Sequence, residues 1–317
     1  MRFTIQGARR RLAAVSDGAT GSIERADSFR LSAVDIGFVI YVPVVLGVVF
    51  LLPIEIRREL ALVYTEPSLR TMYAAHFVHF EFPHLAANLL VYLLVVPFAL
   101  AVSVWSGRRR RFYLVAFTVL LAFPLVLSGL NVLFPRPRIG MGFSGLNLAF
   151  VGYLPHVLAD HVEAEHPAGE RSRAALLALA FFVGTAIVTV RVAASLGGPF
   201  RIELGWLLTA GAGSLAAVVG LAQPVASRLW SQGLAGVHIP PLVVLGSLLF
   251  VLLMVVGFPD VSPADGSVVN IFLHLLGYSF GYIVPYTAFQ VVGISLVGGR
   301  SDRRLEDTYE SVGRNQI

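Results

Sequence analysis

Ser144 stands between Gly142-Phe143 and Gly145 at the start of a stretch that carries no charge from Ile139 to Ala159. A hydroxyl flanked by glycines is thereby placed where a helix enters lipid. A second polar group, His274, lies in the uncharged run from Gly266 to Gly299, with Gly277 and Gly281 three and seven residues further on. Serine is a weak nucleophile until a base removes its proton, and histidine is the side chain best suited to do so near neutral pH. The pair points to nucleophilic catalysis within a membrane, because polar groups inside apolar spans are costly and are retained for function.

The elements that must position this pair are membrane helices. With 56% hydrophobic residues, 14% charged residues and a mean hydropathy of +0.76, the 317-residue chain has the composition of a polytopic membrane protein, not of a water-soluble domain. The absence of cysteine excludes disulfides, thiolate metal sites and a cysteine nucleophile. All 24 basic residues are arginine, a bias that fits a GC-rich genome better than a chemical requirement.

A span needs about 20 apolar residues. Eight segments meet or approach this: 36–54, 85–104, 112–134, 143–159, 174–190, 205–224, 240–258 and 267–296. The last is long enough to tilt. Residues 1–34 carry arginines and acidic residues before any long apolar run, unlike a cleaved secretion signal, and read as a short cytosolic arm. Residues 35–298 form the transmembrane domain and 299–317 a cytosolic tail. With the N-terminus inside and sides alternating, seventeen arginines fall inside and seven outside, as the positive-inside rule requires when both termini are cytosolic. The run Arg108 to Arg111 reads as the main topology anchor, in preference to a ligand site.

Even-numbered spans then run from outside to inside, so Ser144 in span four and His274 in span eight both lie toward the outer face. At about 1.5 Å per residue they sit roughly 2 to 11 Å along their helices and can meet at one depth. The segment HFVHFEFPHLAANLLVYLL brings His79, His84 and Asn88 to the same level at the entrance of span two. His84 and Asn88, four apart, share a helical face. His76 reads as an interfacial anchor, whereas Asn88, inside an apolar run, must face protein or a wet cavity.

These residues resemble the rhomboid family of intramembrane serine proteases. The resemblance rests on His79, His84 and Asn88 in span two, on Gly142-Phe143-Ser144-Gly145 with Gly152 in span four, and on His274, Gly277 and Gly281 in the last span. It implies a Ser-His dyad in which His274 takes the proton of Ser144 and returns it to the leaving amine. It also implies an oxyanion hole made by His84, Asn88 and the backbone N–H of Ser144, with His79 in a supporting role. Gly145 and Gly152 share a face of span four, and His274, Gly277 and Gly281 share a face of span eight, so the two backbones can approach closely.

The eight spans contain no Asp or Glu, so a dyad is expected and not a triad. Asn270, four before His274, reads as a helix cap or as a residue that orients the ring. The chain departs from the commonest six-span rhomboid core by two additional spans between serine and histidine, which preserve parity. Leu148 stands where the family often has a tyrosine stacked on the histidine, so His274 must be held some other way. Leu69-Arg70 stands for the family's Trp-Arg pair in the loop before the first histidine. The resemblance covers spans one to four and the last.

His156, His161 and His166 with Asp160, Glu163 and Glu165 could bind a metal but read better as a solvated loop, and His238 falls in another inner loop. His76, His79 and His84 form no helical HExxH face with Glu81, which ranks a zinc protease low. No phosphate-binding loop or nucleic-acid motif is present; neither cofactor, metal nor nucleic acid enters the expectation. The expected protein is an all-α helix bundle in a prokaryotic cell membrane, with a rhomboid-like core of about eight transmembrane helices. It cleaves transmembrane protein substrates near their outer ends. The alternatives are an inactive rhomboid-like protein that binds or escorts membrane clients and, ranked below it, a transporter.

Overall fold

A computed structural model describes residues 30–133, 138–165, 169–195, 240–258 and 271–291. The first helix, α1 (Ala33–Leu51), starts three residues earlier than its apolar run, because Ser32 and Asp35 form a reciprocal capping box. The short α2 (Ile54–Leu60), β1 (Leu62–Val63) and α3 (Leu69–Ala74) follow, the last continuing into a 3₁₀ turn over Ala75–Phe77. Next come α4 (Phe82–Trp105) and a helix broken by a π turn, composed of α5 (Arg109–Phe117), Thr118–Ala122 and α6 (Phe123–Val132). After β2 (Ile139–Gly140) the chain forms α7 (Ser144–Glu165), α8 (Gly169–Ser195), α9 (Pro241–Gly257) and α10 (Ile271–Tyr286), the last running into a π turn at Thr287–Val291.

Among the described residues three helices are long and apolar enough to cross a membrane: Ala33–Leu51, Phe82–Trp105 and the continuous Arg109–Val132. The apolar side chains of Ile36, Ile40, Val44 and Val48 on α1 are exposed. Such a face is what lipid covers and water does not. This is a helical membrane protein. The 205–224 segment lies outside the described residues, as do Asn270, His166, His238 and most of the two terminal stretches.

The centre of the bundle is α7, buried almost continuously from Gly145 to Val162 and packed by α4, α8, α9 and α10. A helix buried on every side is the core of such a bundle, and its few polar side chains must find partners there. At its Ser144 end, a two-stranded antiparallel ladder pairs Leu62 with Gly140 and Val63 with Ile139, tying the segment that leads into α7 to the one that follows α2.

The other end corrects one sequence reading. His156, Asp160, His161 and Glu163 do not lie in a solvated loop: α7 continues to Glu165, and the first three are buried. Asp160 is paired with Arg111 at 3.0 Å and Arg173 at 2.9 Å, and Glu163 with Arg173 and, at 3.7 Å, Arg108. Arg109 pairs with Asp35 at 3.3 Å. The Arg108 to Arg111 run is therefore also a packing element that ties α5 to α1 and α7. His156 contacts the Tyr282 carbonyl through Nε2 at 2.9 Å, and no three of His, Asp and Glu among the described residues converge on a metal position. Asp160→Asn leaves the largely covered Arg111 guanidinium without its carboxylate and buried Arg173 with Glu163 alone; breaking a buried pair costs about 3 kcal/mol or more, so the variant's unfolding midpoint in detergent should fall markedly.

Candidate active site

Gly142 is where the chain turns into α7, with φ +108°, a conformation open to glycine and strained for other residues. A side chain there would also collide with His84, whose Cε1 and Nε2 lie 2.7 and 2.9 Å from the position of a Cβ. The N–H of Gly142 donates to the Ala75 carbonyl at 2.9 Å, and Phe143, fully buried against Phe77 and Tyr92, anchors the turn. The Phe143 N–H donates to His79 Nε2 at 3.4 Å. Ser144 follows as the first residue of α7 and is half-buried. The glycine, the aromatic plug and the histidine together fix the direction in which the helix, and so the hydroxyl, begins.

From α10, His274 reaches the serine: its Nε2 lies 2.7 Å from Ser144 Oγ. Its Nδ1 lies 2.6 Å from the carbonyl oxygen of Gly257, at the end of α9. A carbonyl oxygen has no proton to give, so in the neutral ring Nδ1 carries the N–H and Nε2 is left as acceptor for the serine hydroxyl. These two contacts account for both ring nitrogens, and among the described residues no carboxylate takes part.

The approach of α7 and α10 rests on glycines at their crossing. A Cβ on Gly277 would fall on the Gly145 carbonyl, one on Gly281 on the Ala149 carbonyl, and one on Gly152 on the Tyr278 carbonyl. Gly145 itself packs against Leu273. Small residues at these four positions let the helices meet backbone to backbone, which sets the distance between hydroxyl and imidazole.

The remaining polar groups lie on α4 and in the connection before it. His84 is half-buried with its ring 4.9 Å from that of His79. Asn88 is buried; its Nδ2 donates to the His84 carbonyl at 3.0 Å, which uses one of two N–H groups. Asn147, on α7, donates to the Asn88 backbone carbonyl at 2.9 Å and to its Oδ1 at 3.2 Å. Sequence reading missed Asn147; its signal was an amide in the uncharged run, one helical turn beyond Ser144.

Arg57 was missed as well. It donates to the carbonyls of His79 at 2.8 Å and Leu52 at 3.1 Å and lies over the Phe50 ring, bracing the segment that carries His79. His76, expected as an interfacial anchor, is instead buried, with Nε2 3.1 Å from the Pro124 carbonyl and 3.0 Å from Ser128 Oγ. It ties the connection to α6.

Burial lowers the pKa of His76 to about 4, and burial first, then neighbouring His84, lowers that of His79 to about 3. An unfolded histidine protonates near pH 6.5. Between these values the unfolded chain binds more protons than the folded one, so stability falls as the pH drops from about 6.5 toward 4 and below. Hydrogen exchange of residues 75–80 should accelerate over this window, and His76→Gln should weaken the acid dependence.

No protein-family model, curated protein or solved structure gives a significant match to the chain.

Proposed function

We propose that this protein is a rhomboid-like intramembrane serine endopeptidase that cleaves transmembrane proteins near the outer membrane face. The observation that carries the reading is the 2.7 Å approach of His274 Nε2 to Ser144 Oγ, with Nδ1 committed to the Gly257 carbonyl. In this reading eight helices cross a prokaryotic cell membrane with both termini in the cytosol, the arginine-rich end of the bundle faces inward, and the serine end faces outward.

The reaction follows from the hydrogen-bond directions. The Ser144 hydroxyl passes its proton to His274 Nε2 as Oγ attacks the peptide carbonyl. The carbonyl oxygen gathers negative charge in a tetrahedral intermediate. Collapse of that intermediate expels the amine, which takes the proton from Nε2, and leaves an ester on Ser144. Water, deprotonated by the same nitrogen, then hydrolyses the ester and restores the hydroxyl.

The oxyanion needs donors. The first N–H groups of α7 have no acceptor within their helix and lie at its positive end. His84, packed against Gly142, and Asn88, with its second N–H, complete the set in this reading. Replacing either by alanine should lower kcat about 100-fold and leave KM nearly unchanged, since such donors act on charge that develops only in the transition state.

The test is labelling of the reconstituted protein by a fluorophosphonate, together with cleavage of a model single-span substrate. Both should depend on Ser144 and His274. Label that persists in Ser144→Ala contradicts the mechanism, and a wild type inert to the probe and to a panel of substrates favours a client-escort protein.

A further inference from the structure

Resting on the hydrolase reading above, we infer that the C-terminal end of α9 serves as the third member of the catalytic group, with Gly257 and Phe258 as positioning residues for His274. Among the described residues no acidic side chain hydrogen-bonds the imidazole. What touches it is a helix end: the Gly257 carbonyl at 2.6 Å from Nδ1, and the ring of buried Phe258 set edge-to-face at 6.2 Å and 84°.

A helix end suits the task chemically. The last four carbonyls of a helix have no intrahelical N–H partner, so the Gly257 oxygen is open to an outside donor. The aligned peptide dipoles also place roughly half a negative charge at that end. When the serine proton arrives at Nε2, the ring becomes an imidazolium whose Nδ1–H faces this partial negative charge. A buried carboxylate in a Ser-His-Asp triad does the same two things: it holds the tautomer and stabilises the imidazolium. Here both come from the backbone of α9, and the edge-to-face aromatic contact limits rotation of the ring.

The helix end is held in turn by the serine's own helix. A Cβ on Gly257 would meet Leu148 Cδ1 and Cδ2 at 3.0 and 3.1 Å, and Leu148 lies four residues after Ser144, one turn along α7. Leu148 is buried, so it has little room to yield. Nucleophile, abutment and base thus belong to three helices that meet at one point. Any displacement of the α9 end withdraws the acceptor from Nδ1, so catalytic competence is coupled to the position of α9.

The test combines spectroscopy and kinetics on the full-length protein in proteoliposomes. In ¹⁵N-histidine spectra at neutral pH, His274 should show a single Nδ1–H tautomer with a strongly hydrogen-bonded proton. Gly257→Ala should blur that signature and lower kcat about 10- to 100-fold at unchanged KM, as expected for a misplacement of well under a helical turn. Adding Leu148→Ala to the same chain gives the new methyl room and should restore most of both signals. Phe258→Leu, which keeps apolar bulk without the ring edge, should lower kcat while the protein stays folded.

An Nδ1 without a proton in the wild type, or an unchanged kcat and spectrum in Gly257→Ala, overturns the inference. Wild-type protein that neither labels nor cleaves overturns the hydrolase reading instead. The tautomer measurement needs no turnover and separates the two failures.

Discussion

Ser144→Ala should reduce kcat/KM for a single-span substrate by at least about 10⁴-fold, with the fold intact. The size follows from how such groups act: hydroxyl, imidazole and its orienting partner work as a unit, so losing the nucleophile forfeits nearly everything the unit contributes. What remains is the contribution of oxyanion donors and substrate positioning. The structural cost should be small, because Ser144 is half-buried and the turn into α7 is held by Gly142, Phe143 and the His79 contact. His274→Ala should match the loss within an order of magnitude, and the double variant should be little worse than either. If the two losses multiply, the residues act independently and the shared proton transfer is wrong. Turnover of a fluorogenic single-span substrate in proteoliposomes, with thermal unfolding run in parallel, decides it.

Gly277→Ala should be among the most damaging single methyls that can be added at the described glycines. Its Cβ would fall on the carbonyl oxygen of Gly145, the residue that follows Ser144. A backbone carbonyl cannot swing aside as a flexible side chain can, so α10 must move away from α7. Overpacking of this kind costs about 3 kcal/mol. The movement also carries His274, one turn earlier on the same helix, away from Ser144, and a displacement near 1 Å can cost about 100-fold in rate. Gly281→Ala, against the Ala149 carbonyl, should destabilise comparably with a smaller effect on rate, since it lies a turn further from the chemistry. Gly37 and Gly47, on α1, provide the control. Nothing lies within 4 Å of a Cβ at either. Alanine there should be neutral or stabilising by up to about 1 kcal/mol, as helix propensity predicts. Unfolding midpoints in a fixed detergent, and turnover of the folded fraction, measure both effects.

The legible and illegible parts of this protein divide by range. Among the described residues seven of the eight apolar runs are helical, because lipid demands long uncharged segments and helices satisfy their own backbone; the eighth, 205–224, lies outside the described residues. Their ends were less readable. α1 begins early at a local cap, which Ser32 and Asp35 do spell out, but α7 runs six residues past its expected end. Asp160 and Glu163 looked like solvent-facing charges, and the arginines that neutralise them come from α5 and α8. His76 likewise looked like an interfacial ring until its partners on α6, about fifty residues away, gave it a buried role.

The candidate site shows the same division. Ser144 and His274 are 130 residues apart and meet at 2.7 Å; the sequence expected them at one level, from helix rise within each span and the arginine asymmetry between loops. The spacing of Gly145, Gly152, Gly277 and Gly281 showed that two helix faces were small enough to touch. What sequence could not show was the partner of Nδ1. Leu148 stands where the rhomboid family often has a stacking tyrosine, and with no Asp or Glu in the spans the sequence offered only Asn270, which lies outside the described residues, to orient the imidazole. Its support is a main-chain carbonyl at the end of α9, and every residue carries the same main-chain carbonyl. By itself the sequence determined the helical membrane class and the chemical types at the candidate site, both consequences of local periodicity and composition. Only tertiary structure decided which backbone atom completes the site and which arginines neutralise the buried acids, because those depend on which helix ends converge in space.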